Sequence, residues 1–116
     1  MNNTEEWKVV KNLLHDALDF AECSKRFTID DPEEGLREDK AVSLAYAAAC
    51  TAKYSAAQAI YTLYPGVSVS LSRLFAAFDS FTREVLSSYA DNHSTQQVLT
   101  CYGDLEDIYN ELFSNR

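Results

Sequence analysis

The stretch from Ala41 to Tyr64, AVSLAYAAACTAKYSAAQAIYTLY, constrains the fold more than any other part of the chain. It contains one charge, Lys53, no Gly and no Pro, and alanine dominates it. Alanine is the best helix former, whereas Gly and Pro are the worst, so this stretch predicts one long helix. Its apolar residues form two faces. Ala45, Ala49, Ala52, Ala56, Ala59 and Leu63 make one of small side chains, and Tyr46, Cys50, Tyr54, Ala57, Tyr61 and Tyr64 make the other. A helix apolar on two faces is expected at the centre of the fold, buried on more than one side. Its length would suit a membrane span, but a central lysine costs about 2.5–3.5 kcal/mol there, and Ala, Ser, Thr, Gln and Tyr do not offset that. No membrane span is expected.

Three further helices flank it. In the first, Asn3 and Glu6 have capping-box spacing, and Trp7, Val10, Leu14, Ala17 and Ala21 recur at steps of three and four, widened by Leu13 and Phe20. Lys25 and Arg26 suit its C-terminus, where cations complement the helix dipole. Asp31-Pro32-Glu33-Glu34 reads as a helix start, but Gly35 interrupts it. This segment is either a separate short turn or the beginning of the long helix, which then opens near Glu38. Pro65-Gly66 ends the long helix. The third helix, capped by Ser68 or Ser70, carries Leu71, Leu74, Phe75, Phe78, Phe81, Val85 and Tyr89. After the turn Asp91-Asn92-His93, Ser94 and Gln97 form a second capping-box spacing. Val98, Cys101, Leu105, Ile108 and Leu112 then make a core stripe, with Gly103 marking a bend or a close contact. At 116 residues with few glycines or prolines, the expectation is a single all-α domain over 1–116. It is a compact antiparallel bundle of four helices around the Ala/Tyr-rich one.

The formal net charge is −8 and the sequence pI about 4.6. That argues against direct binding of nucleic acid or anionic lipid, which needs clustered Lys and Arg. It suits a basic protein partner, and equally it suits plain solubility. Cys23, Cys50 and Cys101 are odd in number and widely spaced, without a CxxC. They are expected as reduced, buried small hydrophobes of a cytoplasmic protein. The opening MNNTEEWKVV lacks the pattern of a signal peptide.

No motif in the chain carries chemistry. There is no GxSxG, no Gly-rich phosphate loop and no HExxH. Arg83 and His93 are too far apart for the Arg-to-His spacing of HEPN-type ribonucleases. His15, Asp19 and Cys23 lie at steps of four and share a helix face, yet nothing nearby completes a zinc site. No enzymatic activity, metal or cofactor is therefore expected.

Two acidic clusters remain. Asp30, Asp31, Glu33, Glu34, Glu38 and Asp39 stand against Arg37 and Lys40 alone. From Glu84 onward, Glu84, Asp91, Asp104, Glu106, Asp107 and Glu111 stand against Arg116. Most charge runs are solvated faces. The functional alternative is a docking surface built from Asp30, Asp31, Glu33, Glu34, Asp104, Asp107 and Glu111, with Tyr102 and Tyr109 as anchors, since tyrosine is enriched at interface hot spots.

In general character, an acidic, small, helical chain of this kind resembles the immunity proteins that bacteria make against their own nuclease toxins, including those of colicins and contact-dependent inhibition systems. Tyr64-Pro65-Gly66 is similar in part to the Tyr-Tyr-Pro element of the colicin-nuclease immunity family, without its second tyrosine and the acidic run that follows. The resemblance implies a non-catalytic inhibitor whose partner is a basic toxin nuclease domain. Two alternatives are a phage or plasmid anti-defence protein that mimics nucleic acid, and a homodimeric adaptor joined through the tyrosine face of the long helix.

Overall fold

The computed structural model describes residues 4–28, 31–64, 70–90 and 96–113. The expected Asn3, Ser68 and Ser94 caps, the Asp91-Asn92-His93 turn and Asp30 lie outside these residues. Four helices follow in order: α1 (Thr4–Arg26), α2 (Lys40–Leu63), α3 (Ser72–Ala90) and α4 (Gln96–Phe113), with a 3-10 turn at Pro32–Glu34. The fold is all-α. None of the described helices is long and apolar enough to cross a membrane.

Aromatic contacts give the topology. Trp7 at the start of α1 meets Phe113 at the end of α4, with ring centroids 6.2 Å apart. Tyr61 near the end of α2 meets Phe75 near the start of α3 at 5.7 Å. At the opposite pole, the Tyr89 hydroxyl near the end of α3 donates to the carbonyl of Phe27, just beyond α1 (3.4 Å). Successive helices therefore run antiparallel.

The segment between α1 and α2 is a built connection. Gly35 adopts φ +74°, a left-handed conformation that costs a residue with a Cβ about 1–2 kcal/mol. Asp31 and Leu36 exchange backbone hydrogen bonds of 2.9 Å across this turn. Beyond it, Arg37 N–H donates to the Arg26 carbonyl and Asp39 N–H to the Phe27 carbonyl, satisfying acceptors left open where α1 ends. The Asp39 carboxylate then caps α2, accepting from Val42 N–H at 3.2 Å. The 3-10 turn is thus separate from α2, and α2 opens at Lys40, just past the expected Glu38. α3 begins at Ser72, with the Leu71 carbonyl accepting from Phe75 N–H at 2.9 Å.

Two kinds of packing fill the interior. α1 offers Ala17, Ala21 and Ser24, and α2 offers Ser43, Ala47 and Cys50, all buried. Small side chains let the two backbones approach. There Ser24 Oγ donates to the Ser43 carbonyl (2.8 Å) and Ser43 Oγ to the Ser24 carbonyl (3.0 Å), a reciprocal clamp within the seam. α3 supplies bulk instead: Leu74, Phe78, Phe81 and Val85 are fully buried, and Phe78 stacks on Tyr54 at 5.3 Å. Val98, Tyr102 and Leu105 of α4 close the core.

The long central helix is not buried on two sides. Ala45, Ala52, Ala56, Ala59 and Leu63 of its small-residue face are exposed, Leu63 at 72%. The buried face is Ser43, Ala47, Cys50, Tyr54 and Ala57. Alanine explains the difference. Its methyl loses little by facing water, and its helix propensity is useful on any face. Cys50 is buried as expected, whereas Cys23 and Cys101 are half-buried.

Gly103 lies inside a continuous α4, and a Cβ built there meets nothing within 4 Å. Neither a bend nor a close contact requires it. Gly103→Ala should therefore raise unfolding stability by about 1 kcal/mol in urea titration.

Candidate protein-binding surface

None of the described Asp and Glu side chains is buried. On α4 this follows from helix geometry: Val98, Tyr102 and Leu105 face the core, which turns Asp104, Asp107 and Glu111 outward. Among the described residues, Asp104 and Asp107 form no ion pair. Glu111 accepts from Arg73 Nη1 at 3.3 Å, but both side chains are mostly exposed, so this pair is weak.

The other predicted acids sit elsewhere. Glu33 and Glu34 are exposed on the 3-10 turn and Asp31 is half-buried, at the end of the bundle where α1 finishes and α2 starts. α4 starts at that end and runs away from it. At 1.5 Å per residue, Glu111 lies about 22 Å along the axis from Gln96. The two acidic groups are therefore separate patches, not one surface.

Tyr102 is not the exposed anchor expected from the sequence. It is only 6% exposed, its ring packs edge-on against Phe81 at 5.9 Å, and Lys25 Nζ sits 4.6 Å from its centroid. Tyr109 is half-buried and packs on Phe113 at 4.8 Å. Burial raises the phenol pKa of both. For Tyr102 the negative charges of Glu106, Glu22 and Asp19 add to the rise, and Arg26 opposes it. For Tyr109, Asp19 adds to it.

A third group of acids thus surrounds Tyr102 on the α1/α4 seam, Asp19 and Glu22 from α1 and Glu106 from α4, with Glu22 paired to Arg26 at 3.0 Å. Reading the helices singly missed it. The i, i+3 spacing of Asp16, Asp19 and Glu22 was the available signal, but which helix α1 would face was not.

His15 joins this group. Its Nδ1 lies 3.6 Å from an Asp19 oxygen and 4.0 Å from an Asp16 oxygen, and the other Asp16 oxygen meets Lys53 Nζ at 3.4 Å. The exposed trio His15, Asp16 and Asp19 brings its ligand atoms within 4.8 Å of one another, and Cys23 is not part of it.

The tyrosine face of α2 is largely occupied, with Tyr64 the exposed member. Tyr54 is buried, Tyr46 stacks on both Phe20 and Phe27 at 6.1 Å, and Tyr61 packs on Phe75. A homodimer joined through this face could use Tyr64 and the outer edges of Tyr46 and Tyr61, but not Tyr54. Among the thiols, burial pushes Cys50 up to about 12, and it raises Cys101 together with the charges of Glu84 and Asp104. Both stay protonated near neutral pH and are poor nucleophiles.

Comparison of the chain with protein-family models, curated proteins and solved structures finds no match.

Proposed function

We propose that this protein is a non-catalytic, stoichiometric inhibitor: a cytoplasmic immunity protein that binds a basic nuclease toxin and covers its substrate-binding face. One observation carries the reading. The described carboxylates all stay outside the core, and among the described residues those of Asp104, Asp107, Glu33 and Glu34 form no ion pair. With a net charge of −8, they produce a negative field that attracts a cationic surface from a distance and raises the association rate. A nuclease needs a basic cleft to hold a phosphate backbone. An acidic body seated on that cleft competes with the nucleic acid for the same cations. Tyr109, at the edge of the acidic seam, offers an amphipathic ring to exclude water from the contact.

The α4 patch is the preferred contact, because Asp104, Asp107 and Glu111 stand on a rigid helix. Reversing all three (Asp104→Lys, Asp107→Lys, Glu111→Lys) should slow partner association by about tenfold or more. Exposed substitutions of this kind change stability little, so the thermal midpoint should move by only a few degrees. The test is to co-purify the partner and titrate its nuclease activity with wild-type and reversed protein. Complete inhibition at one equivalent by the wild type, weakened by the reversal, supports the reading. A partner whose nuclease activity persists in the complex would overturn it. Capture of a host nuclease complex instead of a toxin would favour an anti-defence inhibitor that presents its carboxylates as a phosphate mimic.

A further inference from the structure

Between α2 and α3 lies a cleft of about 560 Å³, lined among others by Tyr54, Gln58, Tyr61, Thr62, Phe75 and Asp79. It adjoins the groove that Asp104 lines with Arg73 and Cys101, sharing Ala76 with it, but none of the carboxylates of the acidic patches above is among its lining residues. Asp79 carries the one formal charge in its lining. The remaining polar groups are the Tyr54 hydroxyl, the Gln58 amide, the Thr62 and Ser72 hydroxyls and the Tyr61 hydroxyl, which accepts from Leu71 N–H at 3.4 Å; each can accept a hydrogen bond. Two aromatic rings, Tyr61 and Phe75, complete the wall, tilted at 60° to one another.

One carboxylate, several neutral oxygen acceptors and aromatic faces together suit a cation with several N–H donors. An anion finds no cation among the lining residues, since the Arg83 guanidinium that pairs with Asp79 is not one of them. We propose that this cleft binds an organic cation, a guanidinium or primary ammonium group, held by the Asp79 carboxylate against the Tyr61 and Phe75 rings.

Asp79 is positioned for the task. Tyr54 Oη donates to its Oδ1 at 3.3 Å and itself lies 3.4 Å from Thr82 Oγ1, which fixes the carboxylate from the core side. On the solvent side, Arg83 Nε contacts Oδ2 at 2.7 Å. Arg83 is 78% exposed and one helical turn away on α3, so its pairing is weak and readily exchanged. Arg83 is not a lining residue of the cleft, but by holding Asp79 Oδ2 from outside it is a competitor for the incoming cation.

The test is an amide-resolved NMR titration of the full chain. Its probes are butylguanidinium, the blocked tripeptide acetyl-Gly-Arg-Gly-amide, and uncharged butylurea as control. Saturable shifts at Gln58, Thr62, Ser72 and Asp79 with a charged probe, and none with butylurea, support the site. Binding of both charged probes identifies a free small cation as sufficient, whereas binding of the tripeptide alone identifies an arginine side chain carried on a protein. Asp79→Asn, which keeps an acceptor for Tyr54, should weaken binding about tenfold or more. Arg83→Gln should strengthen it severalfold by removing the competitor, which a merely structural Asp79 would not produce. Should Asp79→Asn unfold, the Arg83→Gln comparison still decides. Equal shifts with butylurea, no saturable shifts, or affinity indifferent to Arg83→Gln would overturn the proposal. None of these outcomes depends on the protein partner proposed above, which the nuclease titration tests separately.

Discussion

Phe78→Ala is expected to remove about 3–5 kcal/mol of unfolding stability, the loss usual for a phenyl ring taken from a closed core. Phe78 is fully buried in the middle of α3 and stacks on Tyr54 at 5.3 Å. The penalty has two parts. The ring's transfer from water is forfeited, and a cavity remains that neighbours on helical backbones close only in part. The Tyr54 ring also loses its stacking partner, and its hydroxyl, held by Asp79 and Thr82, resists the shift that would fill the space. A domain of this size is stable by only about 5–15 kcal/mol in total, so the variant should sit near its unfolding midpoint in low urea. A loss below about 1 kcal/mol would contradict the packing described for α3.

The second large effect belongs to the small-residue seam. Ser24→Leu should cost about 3 kcal/mol, because it inserts a branched side chain where two helix backbones meet. Overpacking alone costs about 1–3 kcal/mol, and the hydrogen bond from Ser24 Oγ to the Ser43 carbonyl is lost as well. Ser24→Ala separates these contributions. It removes the hydroxyl without adding volume and leaves Ser43 Oγ donating to the residue 24 carbonyl, so about 1 kcal/mol is expected. Equal losses for leucine and alanine would mean that α1 and α2 have room between them, contrary to the zero exposure of both serines.

Legibility in the sequence followed the strength of the amphipathic pattern. The stripes of α1 and α3 set large apolar residues against charges, and Val10, Leu14, Leu74, Phe78 and Phe81 are buried as their spacing predicts. α2 misled for a physical reason. Alanine is apolar enough to count as core and small enough to be indifferent to water, so Ala45, Ala52, Ala56 and Ala59 carried no information about direction. In α4, Cys101 and Tyr102 are adjacent and each extends a plausible stripe. Packing against Phe81 and Lys25 selects the tyrosine for the interior, and no property of α4 alone contains that choice. The same limit hid the acidic seam. Asp19, Glu22 and Glu106 come to bear on the same Tyr102 ring only when α1 meets α4, a tertiary pairing that no helical period encodes.

These placements bear on the mechanism. Carboxylates on rigid helices, outside the core and partly unneutralised, cost the fold little and keep their field available to a partner. Tyr54 and Tyr102 are buried and stabilise the bundle, whereas Tyr64 is exposed and Tyr109 half-buried; the proposed contact uses Tyr109 because it lies at the acidic seam. On the proposed function, capture is driven by charge and retention by shape, so the two phases should respond differently to salt.

The most direct test is the association rate with the co-purified basic partner, measured by stopped-flow at about 50 and about 500 mM salt, where the screening length falls from more than 10 Å to a few ångströms. The electrostatic account predicts a rate at least about tenfold lower at the higher salt, with a much smaller change in dissociation. An association rate that stays the same at both salt concentrations would contradict it.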